Sequence, residues 1–157
     1  GGEDPKFIAR RMLVLASEDI GNANPNALLL ANTTFEAIEK IGLPEGRIIL
    51  SQCAIYLAAS AKSNASYLAI DDALALVRKT GNLPIPLHLR NAPTKLMKEL
   101  DYGKNYKYAH DFEGNFVQQE FLPDEIKNTA FYKPGHSDRE QAFAQRLKLL
   151  WKDKYDF

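Results

Sequence analysis

The strongest constraint on the fold is a set of signals for one helix near the start of the sequence. Asp4 is a typical N-cap residue, and Pro5 suits the first helical position because its missing N–H would be unpaired there anyway. Gly21 ends the pattern. The apolar residues between them are Phe7, Ile8, Met12, Leu13, Val14, Leu15 and Ile20. They leave almost no polar face, so the sequence predicts a helix buried among other helices.

Asn, Gly and Pro divide the following residues into further helices. Asn24 is predicted to cap a second helix that Pro25 opens and Gly42 follows. Its core face is predicted from the spacing of Leu28, Phe35 and Ile38. Short connections between such helices favour antiparallel neighbours, so the sequence predicts a mainly α bundle.

Two more helices are predicted before residue 81. The third runs from about Glu45 to Ala59 and includes Cys53, which we expect to be a small buried residue. The segment 62–64, Lys-Ser-Asn, is expected to cap the fourth helix, which ends at Gly81. One stripe of the fourth helix carries apolar residues at helical spacing, namely Tyr67, Ile70, Leu74 and Val77.

The second half of the chain is less regular. Prolines 84, 86 and 93 predict an extended connector, followed by a short helix over residues 93–100. Residues 101–136 lack periodicity and are predicted to form a long irregular loop, with a small hairpin before the Gly114 turn as an alternative. Ser137 and Glu140 form a capping-box pattern that starts a last helix over residues 137–153. The expected division is a helical core (1–100), the loop and the terminal helix within one domain.

Composition excludes several classes of function. Lys plus Arg and Asp plus Glu both total 20, so no global charge attracts nucleic acid or membrane, and any electrostatic function must come from local clusters. No apolar run approaches the length of about 20 residues that spans a bilayer. The single cysteine fits a reducing compartment. We therefore expect a cytoplasmic protein without a membrane partner, and the absence of an initial Met suggests a piece of a longer chain.

The sequence contains no pattern for catalysis. No G-x-x-x-x-G-K-[ST] phosphate-binding loop occurs, so this stretch is not expected to hydrolyse ATP. The three histidines lack metal-ligand spacing, so we expect no metal. His110 and Asp111 could form an acid–base pair with Ser51 or Ser137 as nucleophile, but no G-x-S-x-G motif supports a hydrolase.

One cluster stands out, and we call it the basic segment, residues 88–110. Its cations are Arg90, Lys95, Lys98, Lys104 and Lys107, and its tyrosines are Tyr102, Tyr106 and Tyr108. Cations that contact phosphates beside rings that stack on bases are typical of single-strand binding, with Tyr106 as the candidate stacking residue. The alternative is that the tyrosines fix an irregular loop to the core while the lysines are merely solvated. Both interpretations stay open.

An acidic pair, Glu18 and Asp19, lies in the last turn of the first helix, where the helix dipole disfavours negative charge. We expect a structural role, in which the pair accepts N–H groups of the next helix or contacts an arginine of the same chain. The candidate arginines are Arg10, Arg11 and Arg47. The alternative is an arginine across a subunit boundary.

Four stretches carry a family resemblance: residues 2–25, LPEGRIILSQCAIYLAASAKSNASY at 43–67, PIPLHLRNAP at 84–93 and DYGKNYKYAHD at 101–111. They resemble the C-terminal region of the RarA/MgsA family of AAA+ ATPases, whose eukaryotic relatives include the Werner-helicase-interacting protein. The resemblance covers nearly the whole chain in order. It implies a helical fold related to the oligomerisation collars of clamp loaders.

The resemblance also implies function. The chain is expected to hold a parent ATPase in a homotetramer that acts in replication, repair and recombination. A DNA-binding module that works through the basic segment is the alternative. The parent is expected to be a DNA-dependent ATPase that uses ATP and Mg²⁺ in a module absent here, and this chain itself is expected to need no cofactor. Implied partners are single-stranded or forked DNA and single-strand-binding protein, at the nucleoid.

Overall fold

The computed structural model describes residues 2–157 and shows six α-helices. They are α1 (Pro5–Leu15), α2 (Asn26–Ile41), α3 (Gly46–Ala59), α4 (Ala65–Thr80), α5 (Lys95–Glu99) and α6 (Asp138–Trp151). Short 3₁₀ turns occur between them, and no strand is present between residues 2 and 157. The mainly α prediction is therefore confirmed.

The chain forms two compact units. The first contains residues 2–72 and 131–144, and the second contains residues 73–130 and 145–157. The predicted division at residues 100 and 136 stays a prediction.

In the first unit, α1, α2 and α3 pack against one another. Their shared core is formed by Ala16, Ile20, Ala27, Ala31, Cys53 and Leu57. Several of these residues are small, which allows the helix backbones to approach closely. Cys53 is fully buried, as expected. The predicted core face of α2 is confirmed at Ile38, which is buried, but is wrong at Leu28, which is exposed. Ala27, Ala31 and Thr34 are buried instead.

The start of α1 agrees with the sequence, whereas its burial does not. The Asp4 side chain accepts the N–H of Lys6 at 2.7 Å, and Pro5 is the first helical residue. Ala9 is the only buried residue of α1, and Phe7 is exposed. The prediction of a buried helix was therefore wrong for the single chain. Apolar residues show that a helix favours burial, but they do not show whether other parts of the chain pack over that helix.

The connection from α1 to α2 was partly mispredicted. Residues Ala16–Ile20 form a π-helical turn before Gly21. Asn24 does not cap α2, whose N-cap residue is Pro25. Instead, Asn24 Nδ2 donates to Tyr56 Oη at 3.1 Å and to Ser60 Oγ at 3.0 Å. The amide of Asn24 therefore fastens the connection to α3 rather than satisfying the end of its own helix.

The ends of α2 and α4 follow local rules. Gly42 and Gly81 have φ of +70° and +69°, and their N–H groups donate to the carbonyls four residues earlier. Glycine is favoured at such a position because a Cβ would be strained there. At the other end of α4, Ser63 Oγ accepts the N–H of Ala65 at 3.2 Å, which confirms that the 62–64 segment caps this helix.

The second unit is held by aromatic contacts around Trp151. Its ring lies 5.0 Å from Phe116, 6.3 Å from Phe121 and 5.1 Å from Tyr155, in each case edge to face. Such edge-to-face pairs add roughly 0.5–1.5 kcal/mol beyond buried area. They give a fixed frame to a segment with little regular backbone structure.

The hairpin that we considered before Gly114 does not form in the described chain. Residues Ala109–Asp111 and Glu113–Asn115 are 3₁₀ turns. The predicted turn at Gly114 is present, since this residue has φ of +67°. The carbonyl of Lys107, however, accepts a bond from the Gln119 side chain at 3.4 Å rather than from a partner strand.

Candidate functional site

Arg90, the first cation of the basic segment, makes its hydrogen bonds within its own unit. Its Nε donates to the carbonyl of Ile85 at 2.7 Å, and its Nη1 donates to Tyr102 Oη at 3.0 Å. The guanidinium carbon lies 5.0 Å from the centroid of the Tyr102 ring. Gly103 packs beside them, since its N–H donates to Leu87 and a Cβ there would approach the Arg90 carbonyl to 3.2 Å. Arg90 therefore fastens the connector to the turn after α5.

The lysines of the basic segment are Lys95, Lys98, Lys104 and Lys107, and all of them are exposed. Lys95 lies 4.0 Å from Glu99, and Lys104 lies 2.9 Å from Asp101. The other two lysines make no salt bridge with any residue between 2 and 157. Exposed ion pairs of this kind contribute only about 0–1 kcal/mol, so the paired lysines can also turn to an external anion.

Of the three tyrosines in the basic segment, one is half-buried and two are exposed. Tyr102 is half-buried beneath Arg90 and is structural. Tyr106 is 54% exposed, and Tyr108 is similarly exposed with its ring 5.1 Å from His110. Tyr106 is thus the tyrosine whose face is available for stacking, as the sequence suggested.

A groove with a volume of about 560 Å³ lies on this surface. It is lined by Leu87, His88, Asp101, Lys104, Asn105, Lys107, Gln119 and Glu120. His88 Nε2 donates to the carbonyl of Glu120 at 2.7 Å, which fixes the ring at the groove wall. Burial alone would raise the pKa of Glu120, but N–H groups of the next two residues and the ammonium of Lys154 lower it overall. The wall is therefore rigid, with lysines projecting beside it.

Glu18 and Asp19 lie exposed in the π-helical turn. Neither makes a salt bridge within residues 2–157, so the arginine contacts that we expected inside the chain are absent. The link to the start of α4 uses the backbone instead, because the carbonyl of Asp19 accepts the N–H of Ser63 at 2.8 Å. Both carboxylates are left free to meet a cation from outside the chain.

A buried carboxylate is the main polar feature that sequence reasoning did not recognise. The Glu140 side chain is fully buried at the start of α6. Tyr132 Oη donates to its Oε1 at 2.9 Å, and Ser137 Oγ donates to its Oε2 at 3.2 Å. The Ser63 hydroxyl and the Gly135 N–H are further donors. Only the Ser137–Glu140 spacing signalled this network, since Tyr132 and Gly135 lie outside the capping pattern and Ser63 comes from a distant part of the sequence.

Hydrogen bonds and burial shift the pKa values of Glu140 and Tyr132 in opposite directions. Burial alone would raise the pKa of Glu140, but its hydrogen bonds outweigh burial and lower the pKa. Burial and the adjacent carboxylate raise the pKa of Tyr132 to about 12. At neutral pH a carboxylate therefore accepts from a neutral phenol. Because Glu140 has no exposed surface, it acts as an anchor for α6 rather than as a catalytic group.

Apolar side chains are exposed on several helices, among them Leu28 and Leu29 on α2, and α3 and α4 expose them over a whole face or stripe. The outer face of α3 consists of exposed residues only, namely Ile48, Ser51, Gln52, Ile55, Ala58 and Ala59. The α4 stripe, which consists of Tyr67, Ile70, Leu74 and Val77, is between 44% and 55% exposed. Sequence periodicity identified the stripe, but not that it would be solvent-facing in the single chain.

These features define a class of protein, a mainly helical domain with exposed apolar side chains on α3 and α4 and a basic irregular segment. Within residues 2–157, no group of three or more His, Cys, Asp or Glu side chains is placed to bind a metal. In the same range, no helix combines the length and apolar character that crossing a membrane requires.

The chain matches the family described as the C-terminal domain of MgsA AAA+ ATPases over residues 1–151, and it belongs to that family. The resemblance drawn from the four sequence stretches is thereby confirmed.

Named relatives agree with this assignment. Over 153 residues, or 97% of this chain, it is 46% identical to Replication-associated recombination protein A of Coxiella burnetii. The protein of the same name from Escherichia coli K12 is 43% identical over 95% of the chain, and ATPase WRNIP1 of Dictyostelium discoideum is 42% identical over 90%. The chain spans 35%, 34% and 17% of these three relatives, respectively.

Proposed function

We propose that this chain is the module through which its parent AAA+ ATPase assembles into a homotetramer. The observation that carries the proposal is the outer face of α3. Arg47 is the only charged residue of that helix, yet Ile48 and Ile55 are 60% and 67% exposed. Ser51 and Gln52 also lie on this face, but a helix with one charged residue and apolar side chains on its outer face is typical of a helix that another surface covers. A second copy of the chain supplies such a cover.

The number of apolar faces favours a tetramer over a dimer. A tetramer with two-fold symmetry needs two different self-complementary patches on each copy. The chain has two candidate patches, the outer face of α3 and the α4 stripe. The centres of protein interfaces are depleted in charged residues, and neither patch contains one.

The parent would then be a DNA-dependent ATPase whose ATP and Mg²⁺ bind outside this chain. The names of the relatives, which refer to replication-associated recombination and to ATPases, support this role. In it, the present domain sets the number and orientation of ATPase modules, and single-strand-binding protein and the nucleoid are the expected surroundings.

The first prediction is that the purified chain has the mass of four 17.6 kDa copies, about 70 kDa, at micromolar concentration. Light scattering after size exclusion measures this mass directly. Ile55→Asp places a charge in the outer face of α3 and should reduce the mass without lowering the melting temperature, because Ile55 is exposed in the single chain. Thr33→Asp adds the same charge at an exposed polar position of α2 and should leave the mass unchanged.

Two outcomes contradict parts of this proposal. A wild-type chain that shows only a 17.6 kDa species removes the assembly function. An assembly that survives Ile55→Asp removes the outer face of α3 from the interface.

A second proposed function is the binding of single-stranded or forked DNA by the basic segment. It is favoured by the groove that Lys104 and Lys107 line and by the exposed side chain of Tyr106, which lies between them in the sequence. Lysines at a rigid wall can follow a phosphate backbone, and an open tyrosine can stack on a base. Lys98 is a further unpaired cation on the segment. Arg90 contributes to this surface only through its net charge, because its guanidinium is bonded to Ile85 and Tyr102. Lys95 is paired with Glu99 at 4.0 Å and, like Lys104, can turn to a phosphate.

The second prediction is that Lys104→Glu with Lys107→Glu weakens binding of a fluorescent single-stranded oligonucleotide about tenfold or more at low salt. The slope of log K against the logarithm of the salt concentration should become shallower by about two, roughly one for each phosphate contact that is lost. The matched control is Lys6→Glu with Lys40→Glu, which changes the net charge equally at two paired, exposed lysines of the first unit. Tyr106→Ala should reduce affinity without lowering the melting temperature. Equal loss of binding in the control pair, or no salt-sensitive binding at all, would assign the segment to architecture.

A further inference from the structure

A cavity of about 480 Å³ lies within the first unit. It is lined by residues 61–65 and 68 from the connection to α4 and its first turn, and by residues 133 and 135–137 from the segment before α6. None of these residues belongs to the basic segment. Small-molecule sites typically have volumes of about 300–1,000 Å³, so the cavity is large enough for a small ligand.

The ionisable residues that line the cavity are Lys62, Lys133 and His136, and no carboxylate residue is among the lining residues. All three are exposed, and none makes a salt bridge within residues 2–157. The groove of the second unit differs, because Asp101 and Glu120 line it together with its lysines. Like charges that share a cavity repel each other, and a bound anion would remove that repulsion.

The two lysines differ in how they are held. Lys62 Nζ donates to the carbonyl of Leu57 at 2.6 Å, which uses one proton of the ammonium group and leaves two for a ligand. Lys133 is exposed on the other lining segment, and its flexible stem allows the ammonium group to follow a ligand. His136 adds a ring N–H that can donate to an oxyanion.

The walls of the cavity are fixed by the Glu140 network. Ser63 and Ser137 line the cavity, and their hydroxyl groups donate to the Glu140 carboxylate. Gly135 packs so closely that a Cβ there would lie 2.6 Å from Glu140 Oε2 and 3.0 Å from Ser63 Oγ. The carboxylate itself is fully buried and does not line the cavity. Walls that are held in this way lose little conformational freedom when a ligand binds.

From these features we propose that the cavity binds a phosphate group, with Lys62 and Lys133 as its charged contacts and His136 as a further donor. Lysine binds phosphate as a compact charge, and two lysines match the two negative charges of a phosphate monoester. A free phosphate compound and the backbone of a nucleic acid both carry such a group. The site shares no residue with the outer face of α3 or with the basic segment, so it is independent of both proposed functions.

The first test titrates inorganic phosphate into the full chain and follows the backbone amide signals by NMR. The signals of Asn64, Gly135 and His136 should shift and saturate, whereas sodium chloride at the same ionic strength should not reproduce these shifts. Lys133→Glu should weaken the fitted affinity about tenfold or more, because a charge-assisted contact is lost and a repulsive charge is added. Lys62→Gln should weaken it in the same direction.

Arg11→Glu is the matched control for Lys133→Glu. It reverses the charge of an exposed residue of α1 that makes no salt bridge within residues 2–157. Because its effect acts only through screened, long-range charge, the affinity should change by less than about twofold. Circular dichroism checks that each variant is folded.

A single-stranded oligonucleotide distinguishes the two sources of phosphate. It is added to the chain that carries Lys104→Glu and Lys107→Glu, so that the basic segment does not contribute. Shifts of the same amides by the oligonucleotide assign the site to a nucleic-acid backbone, and shifts by inorganic phosphate alone assign it to a free phosphate compound. The absence of saturable shifts with both probes, or equal weakening by Lys133→Glu and Arg11→Glu, would overturn the phosphate site. Either result would leave the assembly and the basic segment unaffected, because neither uses Lys62 or Lys133.

Discussion

Replacement of Glu140 by alanine is expected to lower the free energy of unfolding by about 3–5 kcal/mol. The change removes a fully buried acceptor from four partly buried donors, Tyr132, Ser137, Ser63 and the N–H of Gly135. Each donor left unpaired in a buried site costs about 1–3 kcal/mol, and the loss of side-chain volume adds to the penalty. Urea unfolding at neutral pH, followed by circular dichroism, measures the effect.

Two variants serve as controls for this result. Glu140→Gln keeps the shape but loses the charge and one acceptor oxygen, so a smaller loss of about 1–2 kcal/mol is expected. Asp138→Asn changes an exposed carboxylate in the same first turn and should cost at most about 1 kcal/mol. All three are best compared in the Ile55→Asp background, so that dissociation does not contribute. A loss below that of Asp138→Asn for Glu140→Ala would contradict the anchor role.

Replacement of Ile20 by alanine is the second change with a large expected effect, a loss of about 2–5 kcal/mol in the free energy of unfolding. Ile20 is fully buried at the end of the π-helical turn, where it packs in the core of the first unit. The shorter side chain loses apolar contacts and leaves a cavity that fixed helix backbones cannot fill.

Ile41 provides the matched control, because the same substitution there removes the same atoms from a 53% exposed position at the end of α2. Ile41→Ala should change stability by no more than about 0.5 kcal/mol. Thermal and urea unfolding of the two variants side by side measure the difference. Equal effects at both positions would mean that the core is not centred on Ile20.

The proposed assembly accounts for apolar surface that the single chain leaves exposed. The prediction that α1 would be buried on all sides was wrong for the single chain, and the exposure of Phe7, Ile48 and Ile55 shows the same excess of apolar surface. The chain therefore has more apolar helix surface than its own helices cover. In the proposed tetramer, other copies provide that covering.

The free carboxylates of Glu18 and Asp19 fit the same interpretation. They lie in a π-helical turn, an irregularity that is often found at functional positions. Their predicted arginine partners inside the chain are not used. Contact with an arginine across a subunit boundary, the alternative that the sequence left open, stays a prediction.

The sequence by itself determined the helices and most of their ends. The signals at Asp4, Gly42 and Gly81 are local, since a cap depends on hydrogen bonds within one turn of the backbone. Family membership could also be inferred from the sequence, because four stretches of residues resemble the family in the same order. The lysines and Tyr106 of the basic segment are exposed, and their role in binding stays a prediction, whereas Arg90 was not recognised as a structural residue.

Tertiary structure alone decided which residues meet. Asn24 looked like a cap but bonds to Tyr56 and Ser60, and Glu140 looked like half of a capping box but also binds Ser63. Periodicity shows that a helix has an apolar face, but it cannot show whether that face meets the same chain, as at Ile20, or solvent, as at Ile55. That choice depends on how distant segments pack, because burial is a property of the assembled surface and not of the local sequence.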